Sequence, residues 1–218
     1  MLYDISVPMS ARTPEWPGDQ RFDCGWTCRL DRGDSVNLAA VTTSLHVGTH
    51  ADAPLHVHEG WPASESLTVS AFVGPCVVLA LPSAHTAAQE LDTSMVVALL
   101  EAQDLRDVPA RLLLRTGRSV ATGLFPDEWP TLSADTATWL VSQGLVLWGV
   151  DAPSVDTRHS KTLDVHHALL GRGAFVLENL NLRAVTPGLY ELLAAPLSIE
   201  GADAAPVRAL LRAGGVPH

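Results

Sequence analysis

Residues 46–56 of this 218-residue chain read His46-Val-Gly-Thr-His50-Ala-Asp52-Ala-Pro-Leu-His56. With His58, which follows closely, four of the chain's nine histidines fall within thirteen consecutive positions. Imidazole nitrogens and carboxylate oxygens are ligands suited to zinc, manganese or iron, and several of them on one short segment lower the entropic cost of assembling a site. The segment therefore predicts a metal site.

The spacing within this segment supports the same interpretation. The candidate ligands all occupy even-numbered positions: His46, His50, Asp52 and His56. An extended backbone would project such residues to one side, whereas Gly48 and Pro54 permit the turns that let them converge on one point. We expect a strand end that runs into a loop here.

The alternative for this segment is a polar surface loop whose histidines face water. We favour that interpretation only for His58, which lies beside Glu59-Gly60 and outside the compact part of the series, residues 46–56. We also expect His85 and His218 to lie at the surface.

Further ligands are expected from a distant part of the chain. Glu178 interrupts the apolar run Phe175-Val-Leu, and a carboxylate is costly to bury unless it is neutralised or bound to a cation. Metal ligation explains Glu178; a half-exposed strand with Glu178 in water is the alternative. His166 and His167 are also candidates, but adjacent helical positions point about 100° apart, so at most one is expected to reach the metal.

Composition predicts one globular domain, residues 1–218, with 47% hydrophobic and 17% charged residues. The net charge of −10 opposes binding to nucleic acid or anionic lipid.

The first residues lack a basic stretch followed by an apolar run, and no stretch approaches the roughly 20 apolar residues of a membrane span. Three cysteines, Cys24, Cys28 and Cys76, argue against a disulfide framework. We expect a cytoplasmic protein, with Cys76 buried.

Short apolar runs bounded by Gly, Pro or Asn predict core strands at 77–81, 112–114, 145–150, 175–177 and 190–195. Helical patterns that open with a capping residue predict helices at 92–102 and 133–143, and a third, short helix at 162–170. Strands interspersed with a few helices predict an α/β or α+β domain.

The chain resembles the cyclase-type metal-dependent hydrolases, and within that family the bacterial kynurenine formamidases (arylformamidases). The HxGTHxDxPxH pattern at 46–56 carries the resemblance most specifically, and the match extends over nearly the whole chain. The other matching stretches are residues 3–9, 13–19, 149–156, 160–167, 177–180 and 206–208.

The resemblance implies an α/β fold, a single compact swivelling β/α/β domain with a mixed central sheet that forms homodimers. It implies two zinc ions per chain, with manganese or another divalent ion as the alternative. His46, His50 and Asp52 would bind the first ion, and Asp52 and Glu178 would bridge to a second ion that His166 also holds. His56 would act as the acid/base, and Trp16 would lie against the aromatic ring of the substrate.

The implied activity is hydrolysis of a small aryl formamide, N-formyl-L-kynurenine, to L-kynurenine and formate by a metal-activated water, in tryptophan degradation. Two departures are Leu45 and Thr49, where Pro and Ala are common in the formamidases; Thr at 49 is familiar from isatin hydrolases. A cyclic aryl-amide hydrolase such as isatin hydrolase is therefore one alternative. A non-catalytic zinc-binding or sensing protein is another, and a Trp16 that only covers core is the alternative to its stacking role.

Overall fold

The computed structural model describes residues 1–82 and 88–214. The surface predictions for His85 and His218 lie outside the described residues. The described residues form thirteen strands: β1 (Leu2–Asp4), β2 (Asp23–Cys28), β3 (Leu38–Thr42), β4 (His50–Asp52), β5 (Val73–Ala80), β6 (Glu90–Leu91), β7 (Arg111–Arg115), β8 (Thr131–Leu132), β9 (Leu147–Val150), β10 (Phe175–Glu178), β11 (Gly188–Leu193), β12 (Ala204–Pro206) and β13 (Leu210–Arg212). Three α-helices accompany them: α1 (Thr93–Glu101), α2 (Ala134–Ser142) and α3 (Asp164–Leu170).

Nine strands form one mixed sheet in the order β1-β13-β11-β5-β7-β9-β10-β4-β12. Its centre, β5-β7-β9-β10, is parallel, and every other pairing in it is antiparallel. Two small sheets stand apart from it, an antiparallel β2-β3 hairpin and a parallel β6-β8 pair. The α/β class with a mixed central sheet is thus confirmed.

The sheet separates two apolar cores because successive side chains of a strand point to opposite faces. On β5, Val77 and Leu79 join the core under the three helices, whereas Cys76 and Val78 join a second core. Residues on strands from both ends of the sheet, including Ala51 and Leu211, line that second core, so the sheet curls around it. Cys76 is 1% exposed, as its apolar run predicts.

The helix ends follow from local capping. Asp92 accepts a hydrogen bond from the Met95 N–H (3.0 Å) and Ser133 accepts one from the Thr136 N–H (3.1 Å), which satisfies free N–H groups of the first turns. Both predicted helices are confirmed to within a residue at each end. The third begins at Asp164 rather than at 162, because Leu163 has a left-handed φ of +48° that α-helical geometry excludes.

All five predicted core strands are confirmed, with shifts of a few residues at their ends. The strands that the pattern did not predict are short or lack an apolar run. Within the described residues, no helix combines the length and the apolar character needed to cross a membrane.

Candidate active site

The candidate ligands meet on one face of β4. His50 and Asp52 are fully buried on this face, while Ala51 between them points into the second core. The strand lies between β10 and β12, and its antiparallel register places Glu178 directly opposite His50. The predicted strand end is therefore real, although β4 itself extends over only three residues.

A turn at Gly48 brings His46 back to β4. Gly48 has φ of +75°, and a Cβ there would lie 2.8 Å from the Val7 carbonyl oxygen, so both the conformation and the space favour glycine. Because of this turn, His46 Nδ1 lies 3.0 Å from His50 Nε2. The role expected of Gly48 is confirmed.

The candidate ligands fall into two sets, and the first set consists of His46, His50 and Asp52. Asp52 Oδ1 lies 3.2 Å from His46 Nδ1 and 3.3 Å from His50 Nε2. These are ion-pair distances, but neither ring directs a hydrogen bond at this oxygen, and within residues 1–82 and 88–214 the buried Oδ1 has no hydrogen-bond partner. An unpaired buried carboxylate oxygen facing two ring nitrogens is an arrangement that a cation would satisfy.

The second ligand set consists of Asp52, His166 and Glu178. His166 Nε2 lies 3.1 Å from Asp52 Oδ2 and 3.4 Å from Glu178 Oε1. The other Glu178 oxygen, Oε2, lies 3.4 Å from His50 Nε2. Each carboxylate therefore presents one oxygen to each set, which is the geometry that a bridging role requires.

The spacing fits divalent metal ions. A tetrahedral ion with bonds of about 2.0–2.1 Å holds its ligand atoms about 3.3 Å apart. The separations of 3.0–3.4 Å in the two sets agree with this value. Ligand atoms of His50, Asp52 and Glu178 also lie within 4.8 Å of one another, as do those of His46, Asp52 and His56.

The structure brings His166, and not His167, to this cluster. His166 is 1% exposed, and its Nδ1 lies 2.7 Å from Asp156 Oδ2. The same carboxylate accepts the backbone N–H groups of Val165 and His166 at the start of α3, so it positions both the helix and the ring. His167 points elsewhere, with its ring edge towards Trp61.

The cluster couples buried negative and positive charge. Burial lowers the pKa of His46, but the carboxylates of Asp203 and Asp52 outweigh it and raise the pKa to about 10. Burial also lowers the pKa of His50, and Asp52 raises it to about 9. Burial raises the pKa of Asp52, but the charge of His50 and the residues that hydrogen-bond to Asp52 hold this pKa well below its usual range. The carboxylates of this cluster thus attract cations strongly.

Glu178 is 3% exposed, as metal ligation predicts and as a solvent-facing strand does not. Its Oε1 accepts a hydrogen bond from the Val155 N–H at 2.7 Å. Burial and the neighbouring Asp52 raise its pKa, and His166 and His50 lower it to a net value below the usual range.

His56 lies at the mouth of the cluster, at the end of the 3-10 helix Pro54–His56. Its side chain is 27% exposed, whereas those of His50 and His166 are almost fully enclosed. Its ring centre is 4.5 Å from that of His46, and its Nδ1 lies 3.3 Å from Asp203 Oδ2. His58, in contrast, is exposed and stacks on Trp61, as expected for a surface residue.

The cluster forms the floor of a cavity of about 270 Å³. Its walls include Trp16 and Phe125, and its floor includes His46, His56, His166 and Glu178. The Trp16 ring packs edge-to-face on Phe125 at 5.4 Å and on Trp129 at 6.0 Å. Trp16 therefore both covers core and offers an aromatic surface to the cavity.

Sequence reasoning missed three residues of this site. Asp156 ends the stretch 149–156 that carries part of the family resemblance, so its carboxylate had a signal in the sequence. Phe125 and Asp203 had none, because the contacts that bring them to the site join distant parts of the chain.

Thr49, one of the two departures from the formamidase pattern, has a structural place. Its hydroxyl accepts the Val7 N–H at 2.7 Å and donates to the Asn179 carbonyl at 2.6 Å. It thereby ties the N-terminal segment to the residue that follows Glu178. The Thr49 hydroxyl is hydrogen-bonded to backbone groups and does not line the cavity.

Known proteins resemble this chain in sequence and in fold. The Cyclase family model, described as "Putative cyclase", matches residues 3–157. The kynurenine formamidase of Bordetella avium is 42% identical over 214 residues, which cover 97% of each chain.

Solved structures share the fold. A structure described as "predicted metal-dependent hydrolase from Bacillus stearothermophilus" superposes with a TM-score of 0.78 at 27% identity, over 97% of both chains. Isatin hydrolase A from Ralstonia solanacearum superposes with a TM-score of 0.80 over 97% of this chain and 91% of its own, at 23% identity, a likeness of fold alone.

Proposed function

The chain belongs to the cyclase family of metal-dependent hydrolases, and from that premise we propose that it hydrolyses N-formyl-L-kynurenine to L-kynurenine and formate. It is an arylformamidase that acts on a linear amide. The observation that carries this assignment is that members of both ligand sets, His46, His166 and Glu178, lie on the floor of a cavity with an aromatic wall. A single-ring aryl formamide presents both groups that such a site receives, a planar ring and a carbonyl.

We assign the ligand roles as two sets that Asp52 and Glu178 bridge, each with one oxygen towards either set. His46 and His50 complete the first set and His166 completes the second, and these residues would hold two zinc ions, with manganese or another divalent ion as the alternative. The distances support this, since both oxygens of each shared carboxylate are used. When bound, such ions supply Lewis-acid chemistry, because they make water acidic enough to ionise near neutral pH and polarise a carbonyl oxygen.

His56 moves the proton in this scheme. It accepts a proton from the attacking water and delivers it to the aniline nitrogen as the C–N bond breaks, which leaves the neutral amine and formic acid; the acid then releases its proton to solvent and becomes formate. Imidazole suits this role because its ordinary pKa lies near neutrality. Its partial exposure at the cavity supports the assignment, since a group that exchanges protons with substrate must reach it.

Trp16 and Phe125 orient the substrate. Their rings are perpendicular, so a planar anilide can stack on one and meet the edge of the other. Such a fit holds the scissile amide over the ligand sets and keeps water from the ring.

The protein acts as a homodimer in this proposal. Hairpin β2-β3 belongs to a separate sheet, and Trp26, Leu38 and Val41 on it are each about half exposed, at 52%, 51% and 53%. An isolated two-stranded hairpin with an apolar surface is marginally stable in water, and a second copy would cover it. Light scattering on the purified protein tests this, and a monomer at micromolar concentration would contradict it.

We further propose a single catalytic domain over residues 1–218 that acts in the cytoplasm. The pairing of β1 with β13, near opposite ends of the chain, supports one unit. The three cysteines are all unpaired, as in compartments that keep thiols reduced.

Turnover of N-formyl-L-kynurenine and of isatin by the zinc-loaded protein tests the function. We expect a kcat/KM for N-formyl-L-kynurenine at least 100-fold above that for isatin. The reverse preference would support the cyclic amide hydrolase. Turnover of neither, with zinc still bound, would support the zinc-binding or sensing protein and contradict the proposal.

A further inference from the structure

One carboxylate outside the ligand sets contacts both His46, a member of the first set, and His56, the proposed proton carrier. Asp203 Oδ2 lies 3.0 Å from His46 Nε2 and 3.3 Å from His56 Nδ1. Asp203 is separated from these residues by about 150 positions in the sequence, and no ligand role falls to it in the scheme above.

The sheet sets the place of Asp203. It directly precedes β12, whose Ala204 pairs with Asp52 of β4. Its own carbonyl oxygen accepts the Ala53 N–H at 2.9 Å, and the loop before it is tied down where the Gly201 N–H donates to Glu65 at 3.0 Å. The carboxylate is therefore presented by ordered backbone, although its side chain is 46% exposed.

Each imidazole has two nitrogens, and the partner of one determines the role of the other. If His46 donates its Nε2–H to Asp203, the Nδ1 lone pair faces Asp52 and His50. If His56 donates its Nδ1–H to the same oxygen, its Nε2 lone pair is left to take a proton. One carboxylate thus selects the productive tautomer of a ligand and of a proton carrier.

Asp203 differs from Asp156 in the number of histidines that it contacts. Asp156 holds the ring of His166 through Nδ1 at 2.7 Å and contacts only that histidine. Asp203 contacts two histidines whose ring centres are 4.5 Å apart. We propose that Asp203 is a positioning residue that links the metal ligand His46 to the proton carrier His56 and holds both rings in the tautomers that hydrolysis requires. The part that concerns His56 rests on the proposed function.

The test uses Asp203→Asn, which keeps the shape of the side chain, in the zinc-loaded full chain. Glu65→Gln is the matched control, because it alters a carboxylate that supports the same loop without contacting a histidine. Three quantities are measured: zinc affinity by chelator competition, the tautomers of His46 and His56 by ¹⁵N NMR, and kcat and KM for N-formyl-L-kynurenine. The first two readouts need no turnover.

We expect Asp203→Asn to weaken zinc binding by roughly 10- to 100-fold and to lower kcat about 100-fold, with KM within about twofold of the wild type. We expect the NMR spectrum to lose the Nδ1–H form of His56, and Glu65→Gln to resemble the wild type. In a His56→Ala background, Asp203→Asn should cause little further loss of kcat, because the two residues act as one unit.

Wild-type zinc affinity, tautomers and kcat in Asp203→Asn would overturn the proposal. A loss of kcat that is fully additive with His56→Ala would overturn the link to His56. If the wild type fails to hydrolyse N-formyl-L-kynurenine, the proposed function fails, whereas zinc affinity and tautomers still decide the role of Asp203.

Discussion

Glu178 lies directly opposite His50 across the β10–β4 pairing, and its Oε2 is 3.4 Å from His50 Nε2. Residues 128 positions apart are thus joined by strand register, and the carboxylate that interrupts an apolar strand becomes part of a buried polar cluster. Both ligand sets depend on this one pairing.

Glu178→Gln is therefore expected to reduce the metal content from two ions per chain to one or none. The amide keeps the volume but lacks the negative charge that both sets share, and metal affinity depends on ligand charge. Elemental analysis after gel filtration measures the ratio. Glu191→Gln is the control, since Glu191 pairs with Arg212 at the surface of β11. Two ions retained in Glu178→Gln would contradict the bridging role.

His56→Ala is expected to keep its metal and to lower kcat by roughly 100-fold or more, the usual scale of lost general acid/base help. Metal content and rate are measured on the same preparation. His58→Ala serves as the control, because His58 is exposed two residues away and is expected to retain full activity. Loss of metal in His56→Ala would instead make His56 a ligand, as its proximity to His46 and Asp52 permits.

Metal binding at pH 7 is expected to release about three protons per chain, one each from His46, His50 and His166. The pKa values of His46 and His50 are raised to about 10 and about 9. Burial lowers the pKa of His166, but the carboxylates of Asp156, Asp52 and Glu178 raise it well above its usual value. All three rings are therefore protonated at pH 7 in the metal-free protein, and each must lose a proton to bind a metal. Metal affinity should therefore rise with pH up to about 10, the pKa of His46. Calorimetry in buffers of different ionisation enthalpy counts the protons. If the heat of metal binding did not depend on the buffer, these rings would not release protons when the metal binds, which would contradict the prediction.

Trp16→Ala is expected to raise KM for N-formyl-L-kynurenine several-fold and to leave the metal content unchanged. An aromatic contact contributes about 0.5–1.5 kcal/mol beyond its buried area, which corresponds to roughly two- to twelve-fold in binding. A small aliphatic formamide, which cannot stack, is the control substrate and should show little change. Equal effects on both substrates would mean that Trp16 only supports Phe125 and Trp129.

Much of the helical layer could be predicted because its signals are local. Asp92 and Ser133 cap the first turns of α1 and α2 through contacts three residues away, which a linear pattern contains. The apolar runs of β5, β7 and β9 were equally visible, since strands buried on both faces are continuously hydrophobic.

The candidate site was predictable in part for the same reason. His46, His50, Asp52 and His56 are close in sequence, so their spacing alone indicated convergence. Selection of His166 over His167 depends on the rotation of α3, which Leu163 and Asp156 set through contacts that no periodicity contains. Asp203 depends on the pairing of β12 with β4, a tertiary contact between short strands without an apolar signature.

Metal binding also depends on the correct alignment of the three-residue strand β4 in the sheet. Because neighbouring residues of a strand face opposite sides, a slip of one residue would turn His50 and Asp52 towards the second core and Ala51 towards the cavity. Such a misaligned chain would bury two polar groups among apolar ones and could not assemble either ligand set. A divalent metal ion therefore binds only the correctly aligned sheet, and by mass action its binding favours the native register during folding.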